Sequence, residues 1–408
     1  MLLTGIKDIG TITYNTLSTE NMFIKALGFF FAVLCMGATV ASAHGSYIES
    51  LDRHYERYDP LIIFHDGGPD DTRAKLYMMY ASDRYRIVAT IASGNGLCSA
   101  AGGAANDLRI IETTAAKFEA IGMIRKAAAL RSIIVVEGSS APLSNPENRF
   151  TAVQNSTLPL NLITDGGWGT YDTHFPSAGN LTVSEYTPVQ AVREVLRRER
   201  KRPTVLAIGP LTDLANAYDQ IHNLDRRLGR VHTMGGAIKT AGNVFTYPIN
   251  TRSEFNVFLD PLATKKVYDH DNVFVVPLDA TQDVMFSQEY YDSVCAMNTS
   301  VAQWDCALQT NVRFAFGDEA YFNYAGILGG GYGDWDGDAA RSLEDGGCDV
   351  NIRASLTVDL STGPNNPSGR VLLSYDGDYA DDEETICYGL DIERVEAERL
   401  FWLENLAL

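Results

Sequence analysis

Short apolar runs alternate with longer amphipathic stretches along most of the chain. Leu61-Ile62-Ile63-Phe64, Arg86–Ile91, Ile133–Val136, Thr204–Ile208, Val231–Met234 and Val273–Val276 have the length and β-branched content of buried strands. Between them, helical spacing is predicted over Asp70–Tyr80, Ala100–Phe118, Pro188–Arg200, Leu211–Tyr218 and Asp260–Tyr268. Strands alternating with helices imply βαβ units, hence an α/β fold: a mostly parallel sheet with helices on both faces. The tail departs from this rhythm. Leu356–Leu360 and Val371–Tyr375 read as a small C-terminal hairpin, and Val395–Leu406 as a closing helix. Two irregular stretches, Gly138–Tyr186 and Phe316–Gly347, are rich in Gly, Ser, Asn and Asp and read as functional loops.

The first 43 residues do not fit the alternation. Phe29–Val40 is apolar and uncharged, preceded by Lys25 and followed by Ala41-Ser42-Ala43, the pattern of a secretory signal with its cleavage site. The run is shorter than the roughly 20 residues of a membrane span. Met22 is a second candidate start. Cleavage after Ala43 leaves 44–408 as a single domain beginning at His44, exported and with no membrane segment in its mature form. Cys98, Cys295, Cys306, Cys348 and Cys387 remain, and no C-x-x-C occurs among them. By order along the chain, Cys295 with Cys306 and Cys348 with Cys387 are plausible disulfides, leaving Cys98 free. Sequons at Asn155, Asn180 and Asn298 fit a glycosylated surface.

Charge narrows the partners. With 33 Lys+Arg against 52 Asp+Glu, the formal charge is −19, so the surface repels nucleic acid and other extended polyanions. Divalent cations and neutral polar ligands remain.

Ligands of such sheets bind beyond the carboxyl ends of the strands. There the sharpest motif is His65-Asp66-Gly67-Gly68-Pro69-Asp70-Asp71, at the end of the first strand. Its three carboxylates are hard oxygen donors suited to Ca²⁺ or Mg²⁺. Helix capping and the macrodipole account for one or two of them equally well. Ser93-Gly94-Asn95-Gly96, Ile208-Gly209-Pro210-Leu211-Thr212-Asp213, Met234-Gly235-Gly236 and Asp334-Trp335-Asp336 follow later strands or lie in the late Gly-rich stretch. Singly these are turn chemistry; together they suit a hydroxyl-reading pocket.

In order and spacing, these residues resemble the calcium-dependent, inosine–uridine-preferring nucleoside hydrolases. The family's D-x-D-P-G-x-D-D box is similar to Phe64–Asp71, its G-P-L-T-N to Gly209–Asp213, and its M-G-G to Met234–Gly236. Its E-F-N with a following D-P is similar to Glu254-Phe255-Asn256 and Asp260-Pro261, and its late box to Trp335–Ala340. The resemblance implies Ca²⁺ held by Asp66, Asp71, Asp336 and the Ile208 carbonyl, with Asp66 also the general base. It implies that Asp70 and Asn95 hold the 2′ side of a ribose, Asn256 and Asp336 the 3′-hydroxyl, and Asn243 and Glu254 the 5′-hydroxyl, with Phe255 in the same substrate pocket. The expected partners are a small-molecule nucleoside and further copies of the chain in a homo-oligomer.

Three departures stand out. Phe64 replaces the first acid of the opening box. Ile163–Gly169 is similar to the family's H-G-x-D-G-L-G loop but lacks its His. Trp335 stands where many members carry a His that protonates the leaving base. Base departure is therefore expected to rely on Trp335 and Trp168. A non-catalytic ribosyl-binding protein that keeps the metal box is the alternative reading. A dinucleotide-dependent oxidoreductase is disfavoured, because Gly94-Asn95-Gly96-Leu97-Cys98-Ser99 breaks the G-x-G-x-x-G pattern.

Overall fold

The computed structural model describes residues 49–50, 52–143, 165–244, 250–282, 284–317, 333–344, 348–361, 369–374, 384–390 and 392–405. The expected signal segment, Asn155 and Ile163-Thr164 lie outside them. Asp52–Leu408 forms one compact unit.

The predicted strands all form: β1 (Asp59–His65), β2 (Tyr85–Ala92), β3 (Ile134–Glu137), β4 (Thr204–Ala207), β5 (Val231–Met234) and β6 (Val273–Val276). They are joined by β7 (Cys348–Val358), β8 (Val371–Ser374) and β9 (Glu384–Leu390). One nine-stranded sheet results, in the order β3-β2-β1-β4-β5-β6-β9-β7-β8. Pairing is parallel from β3 through β6 to β9 and antiparallel for β9–β7 and β7–β8. The expected hairpin is therefore real, but it continues the main sheet through β9. Acidic neighbours and a short apolar run (Ile386-Cys387-Tyr388) concealed that strand from pattern reading.

Helices of the fold include α1 (Pro69–Tyr80), α2 (Ala100–Ala120), α3 (Ile124–Arg131), α4 (Pro188–Arg198), α5 (Thr212–Gln220), α6 (Phe255–Leu259), α7 (Pro261–Tyr268), α8 (Gln288–Ala296), α9 (Ser300–Phe316), α10 (Trp335–Leu343) and α11 (Ile392–Asn405). Strand alternation sorts them onto two faces. Ile62 and Phe64 point into an apolar core with Val192 and Val195 of α4, Leu214 of α5 and Val267 of α7. His65 instead meets Asp107 of α2, and His232 of β5 meets Ser342 of α10, on the opposite face. α4 shows why its segment is helical: Thr187 and Gln190 close a capping box, Pro188 opens the first turn, and Arg197 and Arg198 end it.

Three expectations need correction. Phe316–Gly347 is not one irregular loop, because Trp335–Leu343 is helix α10. Its Gly and Asp content suggested a turn, yet Gly337 is what permits the helix. A Cβ there would lie 2.2 Å from Asp334 Oδ2, whose carboxylate folds back to Arg341 Nη1 at 2.8 Å. Helices α8 and α9 were not anticipated, and the closing helix starts at Ile392 rather than Val395. The disulfides are Cys295–Cys306, joining α8 to α9, and Cys348–Cys387, joining β7 to β9; Cys98 is free and buried.

Chain order reverses between β1 and β4: from β1 the chain passes outward to β2 and β3, then returns to β4 on the other side. Loops leaving these two strands diverge and open a crevice. Gly209 lets them stay close, since a Cβ on it would sit 2.8 Å from Asp66 N.

Candidate functional site

Gly67, at φ +79°, turns the chain after β1, and Gly68 starts α1. Asp71 then caps that helix: its Oδ2 accepts from Gly68 N at 2.6 Å and its Oδ1 from Asp66 N at 3.2 Å. The same carboxylate joins a cluster. Oxygens of Asp70, Asp71 and Asp336 lie within 4.8 Å of one another, the last delivered by the first turn of α10, which packs along α1. The acidic box therefore both caps a helix and gathers carboxylates, and Asp71 takes part in each. Asp66 lies beside the group, with Oδ2 accepting from Leu97 N at 3.1 Å.

These carboxylates are buried and crowded. Burial pushes Asp66 up to about 6, and burial with Asp71 beside it pushes Asp70 up to about 8. Asp71 and Asp336 are raised well above the usual carboxylate range, by burial and then by neighbouring acids. Like charges in a dry site demand a cation or protons. The donors are all hard oxygens, and the Ile208 carbonyl follows β4, the neighbour of β1, with Asn256 Nδ2 3.4 Å from it. That donor set fits an oxygen-seeking divalent cation.

Two buried ionic networks back the cluster. Arg73 of α1 donates to Asp305 of α9 at 2.6 Å. Arg341 reaches Asp334 and Asp338 at 2.8 and 3.0 Å, while Arg399 of α11 binds Asp338 Oδ2 at 2.7 Å and the Val284 carbonyl at 3.0 Å. These hold α10 so that Asp336, between two structural acids, faces α1. The second network joins His65 and Lys75 to the two oxygens of Asp107. Their cations, with Asp107 and Asp305, lie outside every motif singled out in the sequence.

The residues expected to read hydroxyls are fixed by hydrogen bonds of their own. Asn95 follows β2 and is fully buried. Its Nδ2 donates to Thr212 Oγ1 at 2.8 Å, and that hydroxyl donates to Asp260 Oδ2 at 2.6 Å. Its Oδ1 has no hydrogen-bond partner among the described residues. Asp213 ties two strand ends together, accepting from Ser93 Oγ and from Ser139 N and Oγ. Glu254 caps α6, accepting from Asn256 N at 2.8 Å and Val257 N at 3.0 Å, and burial pushes it up to about 7. Asn243 Oδ1 accepts from Phe255 N at 2.8 Å, which leaves its amide N–H groups for other partners. Phe255 packs with Val244, Phe258, Leu259 and Leu97 as an apolar wall.

Of the tryptophans, Trp335 is half-buried at the start of α10. Trp168 occupies the short turn Gly167–Gly169, and its side chain lies outside the described residues. The backbone around that turn is fastened at both ends. Asp165 accepts from Ser99 N and Oγ at 2.9 and 2.8 Å, and Thr170 Oγ1 accepts from Trp304 Nε1 at 3.0 Å.

Comparisons with known proteins agree with this geometry. The inosine-uridine preferring nucleoside hydrolase family matches residues 61–335. A stretch of 93 residues is 39% identical to nucleoside hydrolase 4 of Arabidopsis thaliana, covering 22% of this chain and only 17% of that protein. Over 241 residues the chain is 25% identical to the non-specific ribonucleoside hydrolase RihC of Klebsiella pneumoniae (strain 342), covering 59% of this chain and 67% of that one. Among solved structures, the purine-preferring ribonucleoside hydrolase from Gardnerella vaginalis superposes with TM-score 0.65 at 21% identity, over 85% of this chain and 99% of that one. An inosine-guanosine nucleoside hydrolase gives TM-score 0.61 at 17% identity, over 86% and 99%. The structural likeness establishes a shared fold. With the family match running from β1 into the first residue of α10, the chain belongs to the inosine-uridine preferring nucleoside hydrolase family.

Proposed function

We propose that this chain is an exported, Ca²⁺-dependent hydrolase that cleaves the N-glycosidic bond of ribonucleosides, releasing ribose and a free base. The observation that carries this reading is the buried cluster of Asp70, Asp71 and Asp336 beside Asp66, at the crossover of a parallel sheet. Asp66, Asp71, Asp336 and the Ile208 carbonyl are the proposed ligands. Bound there, Ca²⁺ would supply positive charge that holds the ribose hydroxyls and makes a nearby water more acidic.

Asp66 takes the proton from the attacking water, a role suited by a carboxyl that burial raises to about 6. Asp70 and Asn95 hold the 2′ side of the ribose, Asn256 and Asp336 the 3′-hydroxyl, and Asn243 and Glu254 the 5′-hydroxyl. As the bond to the base lengthens, positive charge grows on the ribose ring and the surrounding carboxylates stabilise it. With no histidine beside Asp336, Trp335 and Trp168 assist base departure by stacking, and water supplies the proton. Phe64 sits in the apolar core, so the acid missing from the opening box is replaced by packing.

Ala41-Ser42-Ala43 after an apolar run, two disulfides, and exposed Asn180 and Asn298 support export. Terminal sequencing of secreted material should begin near His44; an intact Met22 on a cytosolic protein would reverse this part.

A reducing-sugar assay with purified protein and several nucleosides tests the reaction. Sugar release that stops on chelation and returns with Ca²⁺ is expected. Nucleoside binding without any release would identify a non-catalytic binding protein instead.

A further inference from the structure

Three buried side chains that the proposed reaction leaves unused meet beside the segments that carry Asp66 and Asp71. Lys75, one helical turn after Asp71 on α1, places Nζ 2.6 Å from Asp107 Oδ1 of α2 and 3.2 Å from His65 Nδ1. His65 ends β1, immediately before Asp66, and its Nε2 lies 2.8 Å from the other Asp107 oxygen. All three residues are at most 1% exposed.

The hydrogen-bond roles follow from the groups themselves. An ammonium has only N–H to give, so His65 Nδ1 accepts; a carboxylate only accepts, so His65 Nε2 donates. The triangle closes with its three contacts mutually consistent. Burial alone would raise Asp107, but His65 and Lys75 hold it well below the usual carboxylate range.

Folding gives weak reason for such an arrangement. Removing a charge pair from water is costly, and replacing it by apolar groups is often neutral or stabilising. Its position gives a better one. One corner is the residue before Asp66, and another lies on the helix whose first turn carries Asp70 and Asp71. The triangle thus joins two of the three segments that bring carboxylates together here, the end of β1 and the start of α1.

We propose that Lys75, His65 and Asp107 are positioning residues for the cation site, locking the exit of β1 to the start of α1 and so fixing Asp66 relative to Asp71. This rests on reading the carboxylate cluster as a Ca²⁺ site.

The test uses the full chain carrying Lys75→Met with Asp107→Asn, which removes both buried charges together. Its thermal unfolding and its Ca²⁺ titration by calorimetry are compared with those of the wild type. The double variant should unfold cooperatively and bind Ca²⁺ at least tenfold more weakly, at a temperature far below either midpoint. A wild type that binds Ca²⁺ beside a folded double variant that binds within twofold of it overturns this inference alone. A wild type that binds no Ca²⁺ overturns the cation site and the inference with it. Should the double variant fail to fold, nitrogen NMR of histidine-labelled wild type decides. The Nε2–H tautomer at His65, with resonances that move on adding Ca²⁺, supports the triangle's role. The other tautomer, or resonances indifferent to Ca²⁺, overturns it.

Discussion

Gly96 and Asp66 share a space that admits no further side chain: a Cβ on Gly96 would lie 2.0 Å from Asp66 Oδ2 and 2.2 Å from Asp66 Cβ. Because the clash includes the root of the Asp66 side chain, rotating the carboxylate alone cannot relieve it. The next amide, Leu97 N, holds that same Oδ2 at 3.1 Å. One short loop after β2 therefore both makes room for Asp66 and sets its direction.

Gly96→Ala should displace Asp66 without adding or removing any charge. We expect kcat to fall at least tenfold, since a displacement of about 1 Å at a reacting group can cost on the order of a hundredfold. Midpoint of thermal unfolding and steady-state rates, measured on the same preparation, check this. Wild-type rates from a well-folded Gly96→Ala protein would mean Asp66 is not where the chemistry happens.

Removing the cation should expose the repulsion among Asp66, Asp70, Asp71 and Asp336. Ca²⁺ at about 100 times its dissociation constant should stabilise the protein by about 2.7 kcal/mol, seen as a higher unfolding midpoint. Asp71→Asn should abolish that response while retaining an acceptor for the Gly68 N–H that caps α1. An unfolding midpoint equally responsive to Ca²⁺ in Asp71→Asn would remove this residue from the ligand set.

How much of this was legible beforehand depends on distance along the chain. Leu61–Phe64 is recognisable because a run of apolar residues before a Gly-rich turn has few other uses, and the acidic box lies within seven residues. Lys75 and Asp107 are 32 residues apart, Asp338 and Arg399 61. Read locally, each resembles a solvated charge on a helix face. Trp335–Leu343 failed differently: Gly337 and its aspartates have low helix propensity, and the ion pairs that override it are made to Arg341 and Arg399. Glu254 had a second role in plain view, as an acceptor immediately before a helix start.

Asn95 is expected to bear on substrate choice. Its amide is anchored through Thr212 to Asp260, and its buried Oδ1 has no partner among the described residues. A buried acceptor left unmatched costs roughly 1–3 kcal/mol, which a ribose hydroxyl would recover. Ribosides should therefore outpace 2′-deoxyribosides by tenfold or more, and Asn95→Ala should narrow that ratio. Comparable rates on the two sugars in the wild type would contradict a pocket built around Asp70 and Asn95.

Trp335 and Trp168 should favour purines, whose larger rings gain more from stacking, about 1–3 kcal/mol per base. Relative kcat/KM for inosine and uridine, in wild type and in each Trp→Ala variant, measures this. If the two rates are equal and unmoved by either substitution, base departure does not depend on the indoles.

Far from the crevice, Lys126 of α3 supplies a pH-dependent test of the fold itself. Its side chain is buried, with Nζ 4.0 Å from the Phe118 ring centroid and 5.1 Å from that of Tyr55. Burial lowers it to about 7, against the opposing pull of Asp52. In the unfolded chain a lysine titrates near 10.4. Below pH 7 both states carry the proton, so the folded state bears the whole cost of a buried charge. Between about 7 and 10.4 the folded state has released its proton while the unfolded state still holds one, so this group makes stability climb with pH. Above that window the cost is gone. Lys126→Met should accordingly stabilise the protein at pH 6, by on the order of 2 kcal/mol, once the lost attraction of the cation to the two rings is set against the desolvation. The gain should shrink steadily from pH 7 upward and nearly vanish by pH 10. Denaturant titrations of both proteins at pH 6, 8 and 10 measure it directly. A gain that is the same at all three values would mean that Lys126 keeps its proton in the fold, and that Asp52 and the aromatic rings compensate its burial.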